Sequence, residues 1–286
     1  MRRAARALLR AACALLAFAA AGALAEPLVI AHRGGAGFPE NSLAACRAAL
    51  ALGAGCELDV RSTRDGALVL MHDATISRTT ASRGRVRSLA LVQLRGVLLR
   101  GEAGVSAERV PTLEQALGLA YGERVLLLDL KEESAAFHTA LANALVASGV
   151  PRNLRLGVRS EAQARALRAR LPNAEQVAFI DEPQQIERFA SAGAGWIRLW
   201  DRWLAGDASL AARVRAAGAS VLVGLEGRDE PAARAALAFA PHALLCDAPG
   251  VVLEVLSRRG AARGVAAQPQ HQAHRDDDQS EAEPGP

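Results

Sequence analysis

Short aliphatic runs alternate with longer amphipathic stretches through most of the chain, from about residue 27 to residue 262. The aliphatic runs predict β-strands, and the stretches rich in Ala, Leu and Arg predict helices between them. The strands are predicted at 28–31, 56–61, 124–130, 154–158, 176–180, 196–199, 219–223 and 243–246, with an extension of the second at 67–71. The helices are predicted at 42–52, from 113 onward, and at 133–148, 161–171, 184–192, 208–217, 230–239 and 250–258.

This alternation amounts to eight strand–helix units, which is the number that closes a barrel. Because parallel strands covered by helices read as continuous aliphatic runs, we predict an α/β fold, a (β/α)₈ TIM barrel. A doubly wound open sheet is the alternative fold. No Gly-rich nucleotide fingerprint of the required form follows the first strand, and this counts against the open sheet.

The segment at about 73–110 follows the second strand and is too long for an ordinary strand-to-helix loop. We predict that it forms a small insertion after strand two. It should hang over the carboxyl end of the barrel, where barrel enzymes carry their chemistry.

The first 25 residues have the composition of a secretory signal peptide. Four arginines precede an apolar stretch at 11–21, and Ala23-Leu24-Ala25 is a small-residue cleavage site. We predict cleavage before Glu26 and a periplasmic or secreted protein. An uncleaved membrane anchor is the alternative, although the apolar run is shorter than the roughly 20 residues that a spanning helix needs.

The remaining chain divides into a barrel domain at 26–263 and a tail at 264–286. The tail lacks apolar periodicity, so we predict that it is disordered. No segment after residue 25 is long and apolar enough to suggest a stable membrane span in the mature protein.

The charge and composition of the sequence limit the classes of binding partner that we predict. The formal charge of +4 comes from the four arginines of the first 25 residues, and without them 30 basic and 30 acidic side chains remain. The sequence therefore predicts no nucleic-acid partner, since it lacks a basic footprint. Because 51% of residues are hydrophobic and only 3% aromatic, the core should be aliphatic. We expect a monomer or a weak oligomer.

Three cysteines remain after the predicted signal peptide: Cys46, Cys56 and Cys246. A disulfide between Cys46 and Cys56 would fit an exported protein. We favour buried thiols, because an aliphatic domain of this size does not need a covalent cross-link.

Acidic residues occur inside two of the predicted strands. Glu57 and Asp59 are two positions apart, as are Asp129 and Lys131, so each pair points to one face of its strand. If that face is the barrel interior, three carboxylates and a lysine converge. Carboxylates packed so closely repel one another unless a cation lies between them, and oxygen ligands favour Ca²⁺ or Mg²⁺ over Zn²⁺.

Two histidines and one lysine complete the candidate site. His32 and His72 each stand at the end of a predicted strand, beside Arg33 and Asp73 respectively. Lys131 is the only lysine in the chain. A compact ammonium in a chain that otherwise uses arginine suggests a contact with a phosphate or a metal-linked oxygen.

Six motifs occur together and in order, and they resemble the glycerophosphodiester phosphodiesterase family. They are His32-Arg33-Gly34, Pro39-Glu40-Asn41-Ser42, Glu57-Leu58-Asp59-Val60, Asp65-Gly66, His72-Asp73 with Arg78-Thr79-Thr80, and Pro111-Thr112-Leu113-Glu114. Farther on, Leu245-Cys246-Asp247-Ala248-Pro249 looks like the family's final strand. The resemblance is dense over residues 28–132 and thins beyond them.

The resemblance implies a barrel with a divalent cation at its mouth that hydrolyses glycerophosphodiesters to glycerol 3-phosphate and an alcohol. It implies that Glu57, Asp59 and Asp129 are the metal ligands and that His32 and His72 are the acid/base pair. Arg33 and Lys131 would contact the phosphate of a small-molecule glycerophosphodiester. The chemistry agrees, because a phosphodiester needs its charge neutralised, its nucleophile deprotonated and its leaving group protonated.

The chain departs from the family pattern at three places. Asp129 stands where the family usually has Glu. Val158-Arg159-Ser160 replaces a Gln-Ser-Phe at strand four, and Gly224-Leu225-Glu226-Gly227 replaces a Trp-Thr-Val-Asn at strand seven. The last two line the wall that would hold one end of the substrate. Trp196, Trp200 and Trp203 either replace that wall or pack the strand and helix on which they lie.

Two further functions stay open. One is the same chemistry on a lysophospholipid, a lysophospholipase D-like reaction that an apolar mouth would favour. The other is a barrel that binds phosphodiesters without turning them over.

Overall fold

The computed structural model describes residues 26–119 and 121–266. Its strands are β1 (Leu28–Ala31), β2 (Gly55–Ser62), β3 (Leu68–Leu70), β4 (Leu98–Gly101), β5 (Gly104–Arg109), β6 (Leu126–Leu130), β7 (Leu154–Val158), β8 (Glu175–Phe179), β9 (Trp196–Trp200), β10 (Ser220–Leu225) and β11 (Ala243–Cys246). Its helices are α1 (Leu43–Ala51), α2 (Leu91–Leu94), α3 (Leu113–Leu117), α4 (Ala135–Ala147), α5 (Glu161–Arg170), α6 (Ile186–Ser191), α7 (Asp201–Gly206), α8 (Ser209–Ala216), α9 (Glu230–Ala238) and α10 (Pro249–Ala266).

Eight of these strands form a closed parallel barrel. The order around it is β1, β2, β6, β7, β8, β9, β10 and β11, and β1 pairs with both β2 and β11, so the sheet closes. Helices connect successive strands, and the predicted (β/α)₈ TIM barrel is confirmed. β3 pairs antiparallel with β2 and extends it beyond the barrel, as a hairpin across the Asp65-Gly66 turn.

The core has two layers, as strand periodicity requires. On β9, Ile197 and Leu199 belong to the cluster between the strands and the helices, whereas Trp196 belongs to the cluster inside the barrel. The same alternation on β2 places Leu58 outside. Its neighbours Glu57 and Asp59 therefore face the interior, where they are buried.

The segment between β3 and α3 is an ordered insertion with its own core. It contains α2 and the antiparallel hairpin of β4 and β5. Its buried side chains pack with Val69 of β3 in a separate hydrophobic cluster, which also comprises Met71, Ile76, Val86, Leu94, Leu99 and Val110. A bridge between Thr80 and Leu99 ties the hairpin to the preceding loop. The insertion therefore has a defined shape beside the carboxyl ends of β1 and β2.

Cys46 and Cys56 form a disulfide in the structure, with their Cα atoms 5.6 Å apart. It links α1 to the second residue of β2. The prediction of buried free thiols is wrong for this pair, because both sulfurs occupy one buried space between the helix and the strand that it covers. Cys246 is a free, buried thiol as predicted, and burial raises its pKa to about 12.

Near the C-terminus, α10 extends to Ala266, past the predicted helix end at 258 and into the segment predicted as a tail. The predicted signal peptide and the rest of the tail lie outside the described residues. Among the helices that are described, none carries an apolar stretch long enough to cross a bilayer.

Candidate active site

Three acidic side chains meet inside the carboxyl end of the barrel. β2 and β6 are adjacent parallel strands, and their register sets Asp59 directly beside Asp129. Glu57 lies one interior position earlier on β2. One oxygen from each carboxylate lies within 4.8 Å of the others, and all three residues are buried. The structure thus brings the three predicted ligands together.

Cations surround two of these carboxylates. Lys131 Nζ lies 2.8 Å from Asp59 Oδ1, although without hydrogen-bond geometry, and it donates to Asp129 Oδ2. The Arg159 guanidinium donates to both oxygens of Asp129, at 3.1 and 2.5 Å. Asn41 Nδ2 donates to Asp59 Oδ2 at 2.7 Å, and Asn41 Oδ1 accepts from the Asp59 backbone N–H.

Glu57 has weaker compensation than its neighbours. It accepts a hydrogen bond from the backbone N–H of Arg33 at 2.7 Å. Burial and the charge of Asp59 raise its pKa to about 8. For Asp129, burial acts in the same direction, but the charges of Lys131 and Arg159 outweigh it and lower the pKa.

A divalent cation fits this donor set. The oxygens are close enough to share one ion, they are hard ligands, and Asp59 Oδ1 makes no hydrogen bond. An ion there would also offset the repulsion that raises the pKa of Glu57. The same donors do not distinguish Ca²⁺ from Mg²⁺.

Each predicted catalytic histidine is oriented by a carboxylate. His32 Nδ1 lies 2.8 Å from Asp247 Oδ1, at the end of β11, and His72 Nδ1 lies 2.7 Å from Asp73 Oδ1. In both rings this leaves Nε2 as the nitrogen that can exchange a proton with a bound molecule.

The two histidines titrate in opposite directions. Burial lowers the pKa of His32, but the hydrogen bond to Asp247 and the charge of Glu57 more than offset it, so the net pKa is raised. Burial and the nearby Lys131 lower the pKa of His72, despite the charge of Asp59. The pKa of His32 therefore lies above that of His72.

The loop after β1 positions the next candidate, Arg33. Its backbone lies in the left-handed region at φ 52°, which is uncommon for a residue with a side chain. Gly34 follows at φ 89°, and a Cβ there would lie 2.5 Å from Ala45 Cβ of α1. This tight turn directs the Arg33 N–H to Glu57 and the side chain to Glu40 at 3.1 Å.

The insertion contributes Arg78 to this arrangement. Its guanidinium donates to both oxygens of Glu40 and to both oxygens of Asp73, the partner of His72. Arg78 therefore connects the insertion with the β1 loop and with the histidine that follows β3.

A cavity of about 380 Å³ opens over the cluster. Five of the predicted site residues line it: His32, Arg33, His72, Asp129 and Lys131. Glu57 and Asp59 lie buried beside these residues. All seven therefore converge, although convergence alone does not assign their roles. A second cavity of about 790 Å³ shares His32 and Arg33 and is lined on its far side by the β4–β5 hairpin.

The three tryptophans have different surroundings. Trp200 lines the smaller cavity, and its ring occupies the space over Gly224, where a Cβ would lie 3.0 Å from Trp200 Cε3. Trp196 is deeper in the barrel, under Arg155. Trp203 packs against the core between strands and helices. Of the three tryptophans, Trp200 alone lines this cavity, where Phe179 is a second aromatic residue.

Sequence reasoning did not assign a role to Asn41, Asp247, Arg159 or Arg198, which all contact the site or line its cavities. Asn41 and Asp247 stand within motifs that carry the family resemblance, and Arg159 stands at a departure from it. Arg198 had a signal of its own, because a charged residue at the centre of an aliphatic strand is seldom accidental.

Comparison with known proteins yields one family. The profile of the Glycerophosphoryl diester phosphodiesterase family matches residues 32–199, more than half of the chain. A glycerophosphodiester phosphodiesterase of Caldanaerobacter subterraneus is 40% identical over 117 residues, which cover 38% of this chain and 46% of that protein. Glycerophosphodiester phosphodiesterase 1 of Mus musculus is 48% identical over 96 residues, which cover 31% and 28%. The matches thus span less than half the length of these curated relatives.

Solved structures extend the similarity to the whole barrel. An Oleispira antarctica phosphodiesterase, solved with its product sn-glycerol-3-phosphate, aligns with a TM-score of 0.71 and 25% identity over 81% of this chain and 97% of its own. A glycerophosphoryl diester phosphodiesterase from Parabacteroides distasonis aligns with a TM-score of 0.70 and 24% identity, covering 82% and 87%. The fold around the site is therefore the one these enzymes have.

Proposed function

The chain belongs to the glycerophosphoryl diester phosphodiesterase family, and from that membership we propose that it hydrolyses glycerophosphodiesters to glycerol 3-phosphate and an alcohol. The observation that carries the proposal is the convergence of three buried carboxylates with two carboxylate-anchored histidines at the mouth of a barrel. The similarity to a phosphodiesterase solved with sn-glycerol-3-phosphate supports the nature of the product.

Glu57, Asp59 and Asp129 would hold a divalent cation, Ca²⁺ or Mg²⁺. When bound, such an ion would neutralise negative charge on the phosphate. Arg33 and Lys131 would contact the same phosphate. Both reach the cavity from the carboxylate cluster, so their positive charges lie where an anionic diester enters.

His32 and His72 would act as the acid/base pair. We assign the general acid to His32 and the general base to His72, since the pKa is raised in the first and lowered in the second. Asp247 and Asp73 hold the two rings so that each Nε2 can face the substrate. His32 would then protonate the departing alcohol, and His72 would accept the proton of the attacking hydroxyl.

The test is hydrolysis by the purified protein, with and without chelator. We expect turnover of at least one substrate among glycerophosphocholine, glycerophosphoethanolamine and glycerophosphoglycerol, abolished by chelation and restored by Ca²⁺ or Mg²⁺. His32→Ala and His72→Ala should each lower the rate about 10²-fold or more, the usual contribution of a positioned acid or base.

His242→Ala is the matched control, because this histidine lies between β10 and β11 at the opposite end of the barrel. There its Nδ1 accepts a hydrogen bond from the Val221 N–H. It should keep the wild-type rate. Binding of these diesters without turnover would instead favour the non-catalytic barrel, and near wild-type turnover of either active-site variant would remove that histidine from the mechanism.

A second candidate substrate is a lysophospholipid. Two apolar side chains at the larger cavity, Phe38 and Val105, are 47% and 53% exposed and could contact an acyl chain. Turnover of lysophosphatidylcholine at a rate comparable with that of the glycerophosphodiesters, reduced by Phe38→Ala, would favour it.

We also propose that the protein acts outside the cytoplasm, on the strength of the signal-like residues 1–25. Expression of the full chain in a bacterium should yield a periplasmic or secreted protein that begins at Glu26, which N-terminal sequencing would detect. Retention in the cytoplasm with residues 1–25 intact would contradict this.

A further inference from the structure

An arginine lies inside the barrel where its charge has no acidic partner. Arg198 is the central residue of β9, between Trp196 and Trp200, and it lines the smaller cavity. It is only 6% exposed. Its guanidinium carbon lies 3.9 Å from the Trp200 ring centre and 5.1 Å from that of Phe179, so the two rings enclose it.

Among the described residues, no carboxylate lies within 4.0 Å of the Arg198 guanidinium. Nη2 donates to the backbone carbonyl of Ile180 at 3.2 Å, and Nε has no hydrogen-bond partner. Its charged neighbours in the cavity are Arg159, Arg202, Asp129 and Asp181. Asp129 is paired with Arg159, and Asp181 makes no ion pair with Arg198, so neither carboxylate neutralises the guanidinium by direct contact.

Burial of an unpaired charge is costly, and buried arginines are normally paired. Burial and the charge of Arg159 do lower the pKa of Arg198, but only to about 10, so the group is charged at neutral pH. A cation that is retained at this cost, in a side chain that lines a cavity and has an unused donor, indicates that its partner is a ligand.

Two glycines make the enclosure possible. A Cβ at Gly224 would lie 3.0 Å from the Trp200 ring, and a Cβ at Gly157 would lie 2.6 Å from the Phe179 ring. Each ring therefore lies over a glycine of the neighbouring strand, and both rings contact the Arg198 guanidinium. The arrangement is a preorganised binding site, because the position of the Arg198 side chain is fixed before a ligand binds.

We propose that the cavity around Arg198 receives the alcohol end of the phosphodiester and selects alcohols that carry an anion, either a carboxylate or a second phosphate. The proposal rests on the function proposed above. The glycerol end of such a substrate bears only hydroxyl groups, so an anion beyond the reacting phosphate belongs to the alcohol.

The same geometry disfavours a cationic alcohol such as choline. An aromatic site for a quaternary ammonium offers a free ring face. Here the Trp200 ring is already covered by Arg198 at 3.9 Å and by Arg202 at 4.9 Å. A choline group would meet two guanidinium ions in place of an open aromatic surface.

The test uses two pairs of substrates that differ by one anionic group. Glycerophosphoserine differs from glycerophosphoethanolamine by a carboxylate, and glycerophosphoglycerol phosphate differs from glycerophosphoglycerol by a phosphate. In at least one pair, the wild-type protein should hydrolyse the anionic member with a kcat/KM about 10- to 100-fold higher, the usual worth of a charge-assisted hydrogen bond. The pair that shows the preference identifies the anion.

Arg198→Met should lower kcat/KM for the member with the extra anion about 10- to 100-fold more than for the member without it, so that the preference is lost. Arg155→Met is the matched control, because Arg155 also stacks on a tryptophan inside the barrel, at 4.5 Å from the Trp196 ring, but pairs with Glu175 and does not line the cavity. It should keep the preference. Arg198→Lys keeps the charge and should retain part of the preference. It serves as the test if Arg198→Met does not fold.

The outcomes separate the two proposals. If the wild-type protein hydrolyses both members of each pair equally, the anion preference is wrong and the phosphodiesterase function stands. If Arg198→Met lowers both members equally, Arg198 binds the reacting phosphate, and the preference is again wrong. If no diester is hydrolysed in the presence of Ca²⁺ or Mg²⁺, the proposed function fails and this inference fails with it.

Discussion

At the scale of single residues, the two histidines of the site have different electrostatic surroundings. His32 and His72 have the same side chain and each bonds one carboxylate, yet their pKa values move apart. Burial lowers the pKa of both rings, and the charge of Arg33 acts in the same direction on both. At His32 the hydrogen bond to Asp247 and the charge of Glu57 outweigh these effects, whereas at His72 the charge of Lys131 adds to them.

This difference predicts a bell-shaped dependence of kcat/KM on pH. The acidic limb reports protonation of His72 and should lie below pH 6.5, the ordinary value, because its pKa is lowered. The basic limb reports deprotonation of His32 and should lie above pH 6.5. Asp247→Asn removes the carboxylate that stabilises the His32 imidazolium, so the basic limb should move to lower pH while the acidic limb stays.

Asp181→Asn provides the control for this profile. Asp181 lines the same cavity but makes no hydrogen bond to either histidine. Its pH profile should match that of the wild type. A shift of the acidic limb in Asp247→Asn, in place of the basic one, would reverse the assignment of acid and base.

Sequence alone identified the residues whose chemistry is unusual for their position. Glu57, Asp59 and Asp129 stood out because each interrupts an aliphatic strand. The partner of a side chain was harder to foresee, because it depends on contacts between distant segments. Asp247 is 215 residues from His32 and Asn41 is 18 from Asp59, and no local pattern reports such pairings.

At the scale of elements, all eight barrel strands were predictable because each has aliphatic side chains on its outer face against the helices. The insertion was predicted as a segment, but its two strands were not, since they are short and their hydrophobic pattern is irregular. β5 has no fully buried residue. The seven residues of the insertion's hydrophobic cluster are spread along the sequence from Val69 to Val110. Such an element forms only through contacts that the local sequence does not display.

The link between α1 and β2 leads to a stability prediction. The Cys46–Cys56 disulfide spans 10 residues of sequence and fixes the start of the strand that carries Glu57 and Asp59. Replacing both cysteines with alanine should lower the free energy of unfolding by about 2–3 kcal/mol, the entropic effect of closing a loop of that size. Urea denaturation with and without a reducing agent measures it.

Cys246→Ala is the control for that experiment, since it removes a buried sulfur but no cross-link. Reducing agent should destabilise the wild type and this control equally and leave the double variant unchanged. A chain that starts at Glu26 should expose one titratable thiol on unfolding. Three titratable thiols without reductant would mean that the disulfide does not form.

At the scale of the whole molecule, the proposed reaction centre lies between two cavities that are formed by different parts of the fold. The larger is shaped by the insertion and the β1 loop, and the smaller by the ends of β6 to β10. They share His32 and Arg33, so a diester whose phosphate lies at these residues would extend one end into each. Changes in the insertion and changes in β9 could then alter the two ends of the substrate independently.

The proposed metal site also predicts a link between ion binding and the stability of the barrel. Three buried carboxylates on β2 and β6 repel one another, and a cation that binds only the folded chain stabilises it by mass action. At 100 times its dissociation constant, the ion should add about 2.7 kcal/mol. For a domain of this size, that gain corresponds to a rise of about 5–10 °C in Tm over the chelated protein.

Asp129 variants show whether the rise comes from this site. Asp129→Asn removes one of the three charges and should lose most of the metal-dependent rise in Tm. Asp129→Glu, which has the family's usual residue, should keep it, and so should Asp181→Asn, which removes a cavity carboxylate outside the cluster. Scanning calorimetry with chelator and with saturating Ca²⁺ or Mg²⁺ measures all four proteins. If the Asn variant responds to metal as the wild type does, Asp129 is no ligand, and the ion is held by Glu57 and Asp59 with another group.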